Sequence, residues 1–377
     1  MLKTKRKLGL IVNPIAGMGG RVGLKGTDGE STVQKAMELG ALSVSPDRTV
    51  EALKVIACSD NDIDLVTYPS DMGEEESRRL GLKPTVIGTI ERNHTTAHDT
   101  KKAARDMLKS RVDLVLFAGG DGTARDICEA IAQNVPALGI PAGVKIHSGV
   151  FAVNPRKAGE LALNFLQGQA PLHEAEVMDI DEDAFRRNRV SARLYGYLRV
   201  PYEKQLVQDV KSGSFDTMDE RRSQEAIAAH VVDRMDSKYY YVLGPGTTVK
   251  AIADKLGIGK TLLGVDVVRG GKVVAKDLNE KQLLRLLEGN RAKLILSPIG
   301  GQGFVLGRGN QQISPDVIRR IGKSNITIVA TLSKLSSIGL GRPLLVDTGE
   351  PEVDKMLSGY MRVVTGYNEE IMLEIST

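Results

Sequence analysis

Apolar and polar positions alternate along the chain with two different periods. Short apolar runs of strand length occupy residues 8–12, 64–68, 85–89 and 112–118. Between and after them lie stretches whose apolar residues recur three and four positions apart, which predict helices over 31–39, 47–58, 101–108, 124–131 and 155–168, with a further start in the acidic segment after residue 70. Strands without internal polar alternation, separated by amphipathic helices, predict a parallel sheet, because parallel neighbours need a long crossover that a helix supplies. Past residue 168 the pattern changes. Residues 174–181 and 190–200 alternate at period two, 223–235 has helical spacing, and strands at 239–243, 262–268, 292–296, 325–331, 344–347, 361–364 and 370–375 are interleaved with helices at 249–256, 279–287 and 314–321. The expected architecture is α/β: a doubly wound parallel-sheet domain over 1–172 and a second, mixed β-rich α/β domain over 173–377.

The strand ends carry the candidate chemistry. The run Val115-Leu116-Phe117-Ala118 stops at Gly119-Gly120-Asp121-Gly122-Thr123, and a helical pattern follows. A strand, a glycine turn and a helix start form a phosphate-binding device, since backbone amides approach an anion closely and the helix dipole favours it. Asp121 in that turn changes the reading. A carboxylate beside phosphate is repulsive unless a divalent cation or a proton transfer uses it, so the stretch points to phosphoryl transfer. The first strand ends similarly in Asn13-Pro14-Ile15-Ala16-Gly17-Met18-Gly19-Gly20, which offers backbone donors but no dinucleotide fingerprint, because Val22 stands where a third glycine belongs. Two further glycine turns follow strands in the second half, Gly244-Pro245-Gly246-Thr247-Thr248 and Ser297-Pro298-Ile299-Gly300-Gly301-Gln302-Gly303. Between them, Gly257-Ile258-Gly259-Lys260-Thr261 lacks the earlier glycine of a Walker A loop, with Asp254 in its place, and reads as a helix exit.

Lys145 is a candidate to neutralise a transferred phosphate, and His147 to bond a ribose or phosphate oxygen or to be an ordinary polar loop residue. His94 and His98 share a helix face but lack a third metal ligand, and Thr95, Thr96 and Asp99 beside them suit a helix cap.

Composition narrows the function classes. Lys and Arg number 51 against 47 Asp and Glu, for a net charge of +4, and aromatics make up 4% with no Trp, which argues against a nucleic-acid platform. Cys58 and Cys128 are the only cysteines, which fits a reducing compartment. No apolar run reaches bilayer length, so no membrane role is expected and a soluble, cytoplasmic protein is.

Gly119-Gly120-Asp121-Gly122-Thr123 after an apolar strand, together with Asn13-Pro14, resembles the superfamily of NAD kinases, diacylglycerol kinases and 6-phosphofructokinases, and is closest to the ATP-NAD kinase-like branch that includes the acetoin-catabolism protein AcoX. The resemblance implies ATP, Mg²⁺ and phosphoryl transfer to a hydroxyl, in NAD kinases the ribose 2′-OH of NAD, giving NADP and ADP. It implies Asp121 as catalytic base or as orienter of the acceptor hydroxyl and the metal, with Gly119, Gly120, Gly122, Thr123 and Asn13 at the phosphates. Thr95 and Thr96 match a Thr-containing helix start that in lipid kinases precedes this strand, which makes them candidates for nucleotide phosphate. Gly244, Gly246, Thr247 and Thr248 are similar to a second-domain nucleotide loop, although Ser297–Gly303 is an equal candidate. The superfamily favours a homo-oligomer acting on small nucleotide substrates. The chain departs from NAD kinases where they carry an Asn-Glu pair, since the nearest stretch is Ala175-Glu176. A non-catalytic NAD or ATP sensor and a sugar-phosphate isomerase-like module, the latter on Gly244–Thr248, are the alternative expectations.

Overall fold

The computed structural model describes residues 5–24, 26, 29–59, 63–92, 94–144, 146–180, 192–203, 206–208, 217–339 and 341–377. The chain divides into two compact units, Met1–Gly19 with Gly26–Val210, and Gly20–Lys25 with Lys211–Thr377.

The first unit is built on a sheet of five parallel strands in the order β3-β2-β1-β4-β5, namely β1 (Arg6–Val12), β2 (Ile63–Thr67), β3 (Thr85–Val86), β4 (Leu114–Gly119) and β5 (Ala137–Pro141). Every residue of β4 is buried, as its uninterrupted apolar run demands of a strand covered on both faces. Helices α1 (Glu30–Glu38), α2 (Ser45–Ala57), α3 (Glu74–Arg78), α4 (Ala97–Lys109), α5 (Asp121–Ile131) and α6 (Pro155–Leu166) connect the strands, with α2 against α6 and α4 against α5. The chain steps outward from β1 to β3, then returns to the other side of β1 for β4 and β5. The strand order therefore reverses between β1 and β4, and ligands of open α/β sheets bind outside the carboxyl ends of strands at such a reversal. Asn13 and Gly119 leave from these two strand ends.

Residues 146–152 form no core strand. They are a turn whose end runs alongside β5, with Gly139 N–H donating to Val150 O and Ala152 N–H to Gly139 O. Gly139 is required there, because a Cβ would meet the Phe151 ring at 2.3 Å. The antiparallel pair β6 (Leu172–Ile180) and β7 (Ala192–Pro201) begins at the anticipated division between 172 and 173. Val177, Leu198 and Val200 nevertheless join the first unit's core, because the apolar face of the pair closes over α5 and β5.

The second unit contains α7 (Met218–Val232), α8 (Thr247–Lys255), α9 (Glu280–Leu287), α10 (Pro315–Ile321), α11 (Leu332–Ile338) and α12 (Pro351–Leu357). Its strands are β8 (Tyr240–Leu243), β9 (Asp266–Arg269), β10 (Lys272–Ala275), β11 (Ala292–Leu296), β12 (Phe304–Leu306), β13 (Ile326–Val329), β14 (Leu344–Val346), β15 (Gly359–Gly366) and β16 (Glu369–Ser376). They form one mixed sheet in the order β10-β9-β8-β11-β13-β15-β16-β14-β12, in which β8, β11, β13 and β15 are parallel. Residues 262–265 do not extend β9 as the apolar pattern suggests, and the chain just before them is turned in by Thr261, whose N–H and hydroxyl both donate to Asp266. Gly257 ends α8 at φ 69°, with Ile258 N–H on Ala253 O and Gly257 N–H on Asp254 O, a helix exit and not a nucleotide loop.

Candidate functional site

In the first unit, β4 runs straight into α5. The helix starts at Asp121, three residues before the apolar spacing suggests, with Gly120 as its N-cap and no side chain capping it. The amides of Gly122 and Thr123 have no acceptor among the described residues, which leaves an uncapped helix start with its positive dipole end at the sheet's carboxyl edge. Gly119 is glycine for a reason local to the turn: a Cβ would stand 2.3 Å from Thr123 Oγ1 and 2.4 Å from its Cβ. Its carbonyl accepts from both Ala142 and Gly143 N–H at 2.9 Å, tying the ends of β4 and β5 together.

Asp121 is only 8% exposed, and its carboxylate is turned inward. Four donors share its two oxygens: His147 N–H at 2.8 and 3.0 Å, His147 Nδ1 at 3.0 Å, Ser148 N–H at 2.9 Å and Ser148 Oγ at 2.7 Å. A carboxylate has about four acceptor positions, so this set fills it. Because an ionised carboxylate only accepts, Nδ1 is the protonated ring nitrogen of His147, and the lone pair resides on Nε2. Ser148 is itself held, since Met178 N–H donates to its Oγ and Gln208 Nε2 to its carbonyl, and Gly149 N–H donates to Glu176 O. The stretch that sequence reading singled out through His147 is therefore the partner of the Asp121 turn.

Asn13 belongs to the same edge. Its N–H donates to Ala118 O at the end of β4, its Nδ2 donates to Thr123 Oγ1 at 2.9 Å, and its Oδ1 accepts from Ile15 N–H. Thr95 and Thr96 stand at the start of α4, on the same edge by topology. Thr96 is the N-cap and spends its N–H and hydroxyl on Asp99 Oδ2, each at 2.9 Å, as a helix cap does. Lys145 lies outside the described residues. A buried cation that sequence reading missed is Arg48, taken only as part of a helix start; its Nε donates to Pro141 O at the end of β5. No short motif marks it. Just beyond β2, Glu76 is 2% exposed, and burial pushes its carboxyl up to about 7.

In the second unit the two competing glycine loops converge. Gly244 N–H donates to Ile295 O, and a Cβ at Gly244 would meet Leu296 Cδ2 at 2.7 Å. Gly246 is the N-cap of α8 at φ 110°, so Thr247, exposed, and Thr248, fully buried, open the helix. Thr248 Oγ1 accepts from Lys334 Nζ at 2.9 Å, and Ser297 Oγ accepts from the same ammonium at 3.0 Å. Lys334 comes from α11, whose N-cap Thr331 donates its hydroxyl to Glu220 Oε1 of α7 at 3.0 Å. Lys334 was invisible to the sequence pattern, because a lysine in a short helix reads as a solvated face.

Among the described residues no group of three or more His, Cys, Asp or Glu side chains is placed to hold a metal ion. Asp121, the one candidate ligand, has its lone pairs filled by His147 and Ser148, so as found it does not fit a direct metal bond. A divalent ion here would be carried by a nucleotide's phosphates, as Mg²⁺ commonly is. No helix among the described residues is long and apolar enough to cross a membrane.

Family models for the ATP-NAD kinase N-terminal domain and the ATP-NAD kinase C-terminal domain match residues 8–170 and 236–375. No curated protein matches the chain. Among solved structures, a proposed diacylglycerol kinase from Bacillus anthracis str. Sterne is 19% identical, with 48% of this chain and 44% of that chain covered at a TM-score of 0.25. UDP-GlcNAc 2-epimerase from Neisseria meningitidis, bound to UDP-GlcNAc, is 12% identical over 97% of this chain and 73% of that one, also at 0.25. The chain thus spans less than half the length of the first of these structures, and superpositions this loose carry no functional argument.

Proposed function

Because this chain belongs to the ATP-NAD kinase family, matched over both of its domains, we propose that it transfers the terminal phosphoryl group of ATP to a hydroxyl, with NAD as acceptor and NADP and ADP as products. The observation that carries this reading is the Asp121–His147 pair beside the uncapped start of α5. The amides of Gly122 and Thr123 with the Gly119–Gly120 turn take the transferred phosphate, and Asn13 fixes Thr123 for that task. Thr95 and Thr96, at the start of α4, border the phosphates from the same edge, and the Gly244–Thr248 turn of the second unit is by itself a second candidate nucleotide loop.

In the reaction, the acceptor hydroxyl oxygen forms a bond to the γ-phosphorus as the bond to the β-phosphate oxygen breaks. Its proton passes to Nε2 of His147, while Asp121 holds Nδ1–H and stabilises the imidazolium that results. Asp121 thus orients the base, and general base catalysis of this kind contributes about 10²–10⁴-fold. When bound with the nucleotide, Mg²⁺ supplies neutralisation of phosphate charge. The place of the family's Asn-Glu pair is held by Ala175-Glu176 on β6, where Glu176 O meets Gly149 N–H. The missing Asn bears on adenosine recognition and so on NAD as the acceptor, which the assay below decides.

The test is incubation with ATP, Mg²⁺ and NAD, following NADP and ADP, for the native chain and for Asp121→Asn and His147→Ala. Native turnover with a loss of about 10²-fold or more in both variants supports the reading. Ordinary turnover in either variant sinks the assignment. ADP formed only with another alcohol keeps the kinase and discards NAD, and thermal stabilisation by nucleotide without turnover favours a sensor.

A further inference from the structure

Gly257-Ile258-Gly259-Lys260-Thr261 is not a nucleotide loop, and its lysine has no part in the kinase reading. The segment that joins α8 to β9 closes around this side chain instead. Lys260 is half-buried, and its Nζ donates to two carbonyls of the turn that follows it, Thr261 O at 2.7 Å and Gly264 O at 3.2 Å. It forms no ion pair among the described residues. Asp266, 1% exposed, is the buried carboxylate of the segment, but its oxygens are committed to Thr261 N–H at 2.7 Å, Thr261 Oγ1 at 2.7 Å and Asp277 N–H at 2.8 Å. The turn is tightly packed, since a Cβ at Gly264 would stand 2.3 Å from Asp277 Oδ1 and 2.5 Å from Thr261 Oγ1.

Two carbonyl acceptors match the two N–H bonds of a neutral amine and leave its lone pair unused. An ammonium in the same place has a third N–H with no acceptor among the described residues. Burial disfavours the charged form as well and brings the amine down to about 8, against the opposing pull of Asp266 and Asp277 and with a small push from Lys250 of α8. Lys276 also lies beside the segment, its Nζ 3.3 Å from where a Cβ of Gly259 would stand.

We propose that Lys260 is a nucleophilic amine that accepts an acyl group from a small acyl phosphate. The lone pair of Nζ forms the bond to the acyl carbon, the bond from that carbon to the phosphate oxygen breaks, and phosphate leaves with the electron pair and takes up the amine proton. A lysine kept neutral by its surroundings is an activated nucleophile. Asp266 is committed and cannot protonate a leaving group, which confines the donor to acyl compounds whose leaving group departs as a stable anion, as phosphate does. The amide formed on Nζ keeps a single N–H, so one of the two carbonyl bonds is lost and the turn loosens. That turn also carries Leu262 O and Val265 O, which accept from Gly246 N–H at 2.9 Å and Leu278 N–H at 2.8 Å, so acylation reaches the start of α8.

The experiment incubates the full chain with acetyl phosphate from about pH 6.5 to about pH 10 and quantifies acetylation of each lysine by peptide mass spectrometry. At about pH 7.5 Lys260 is expected to react about ten-fold or more faster than Lys238 and Lys281, both exposed, because far more of it is neutral there. Its rate levels off above about pH 8 while theirs keep rising, and in urea its advantage disappears. Amide exchange at Gly246 and Leu278 is faster in the acetylated chain. An unmodified Lys260, a rate no greater than that of Lys238 and Lys281 in the folded chain, an advantage that survives unfolding, or unchanged exchange at both amides overturns the proposal.

Discussion

The side-chain amide of Asn13 donates to the hydroxyl of Thr123 at 2.9 Å across 110 positions of sequence, and so joins the loop after β1 to the first turn of α5. Thr123 is 4% exposed, so deleting its hydroxyl strands a polar amide at a part-buried position. Asn13→Ala and Thr123→Val are each expected to cost about 1 kcal/mol of stability, with a coupling energy of about 0.5–1.5 kcal/mol in the double-mutant cycle. Urea unfolding of the four chains measures it. Strict additivity would show that the bond contributes nothing.

Gly119→Ala places a Cβ 2.4 Å from Thr123 Cβ and 2.3 Å from its Oγ1. The overpacking is expected to destabilise the first unit by about 1–3 kcal/mol. Thr123→Ser in the same chain does not rescue it, because the clashing Oγ1 and Cβ remain. Thermal melting of the single and double variants checks both statements, and full rescue by Ser would contradict the geometry.

Glu76 titrates near 7 in the folded chain instead of its ordinary 4.5, first because burial disfavours its charged form. The folded state therefore holds this proton more tightly than the unfolded state. Its contribution is favourable below about pH 4.5 and is lost as pH rises through about 7, a difference of up to about 3 kcal/mol. Glu76→Gln should raise the melting temperature clearly at pH 8 and little at pH 5. An equal gain at both values would refute the assignment.

Arg308 and Asp347 form a buried ion pair in the second unit, with Nη1 2.7 Å from Oδ2 and the side chains 4% and 6% exposed, and the guanidinium lies over the Phe304 ring at 4.5 Å. Asp347→Ala is expected to cost about 3–5 kcal/mol, because it leaves the arginine buried without that carboxylate. The double variant Arg308→Met, Asp347→Leu should unfold at higher urea than Asp347→Ala alone. If the single variant is the more stable of the two, the pair is not what holds this loop.

The amino-acid pattern by itself determined the alternation of strand and helix, the parallel sheet of the first unit, the Gly119–Thr123 turn and the helix caps, because these follow from side-chain periodicity and backbone sterics over a few neighbouring residues. Thr96 with Asp99 and the Gly257 helix exit were legible for that reason. Contacts between distant segments were not. The turn 146–152 reads as an awkward strand until the amides of His147 and Ser148 are seen on Asp121, and β6–β7 reads as the start of a new domain until Val177 and Leu198 are seen in the first core. Arg48 and Lys334 carry no local signal, since burial of a cation depends on which strand ends surround it. The sequence could therefore place Asp121 in a phosphate turn, while only the tertiary structure decided that its carboxylate is committed to His147 and Ser148, and that Thr248 and Ser297 share one ammonium, because each of those bonds exists only once the sheet has brought separate strand ends together.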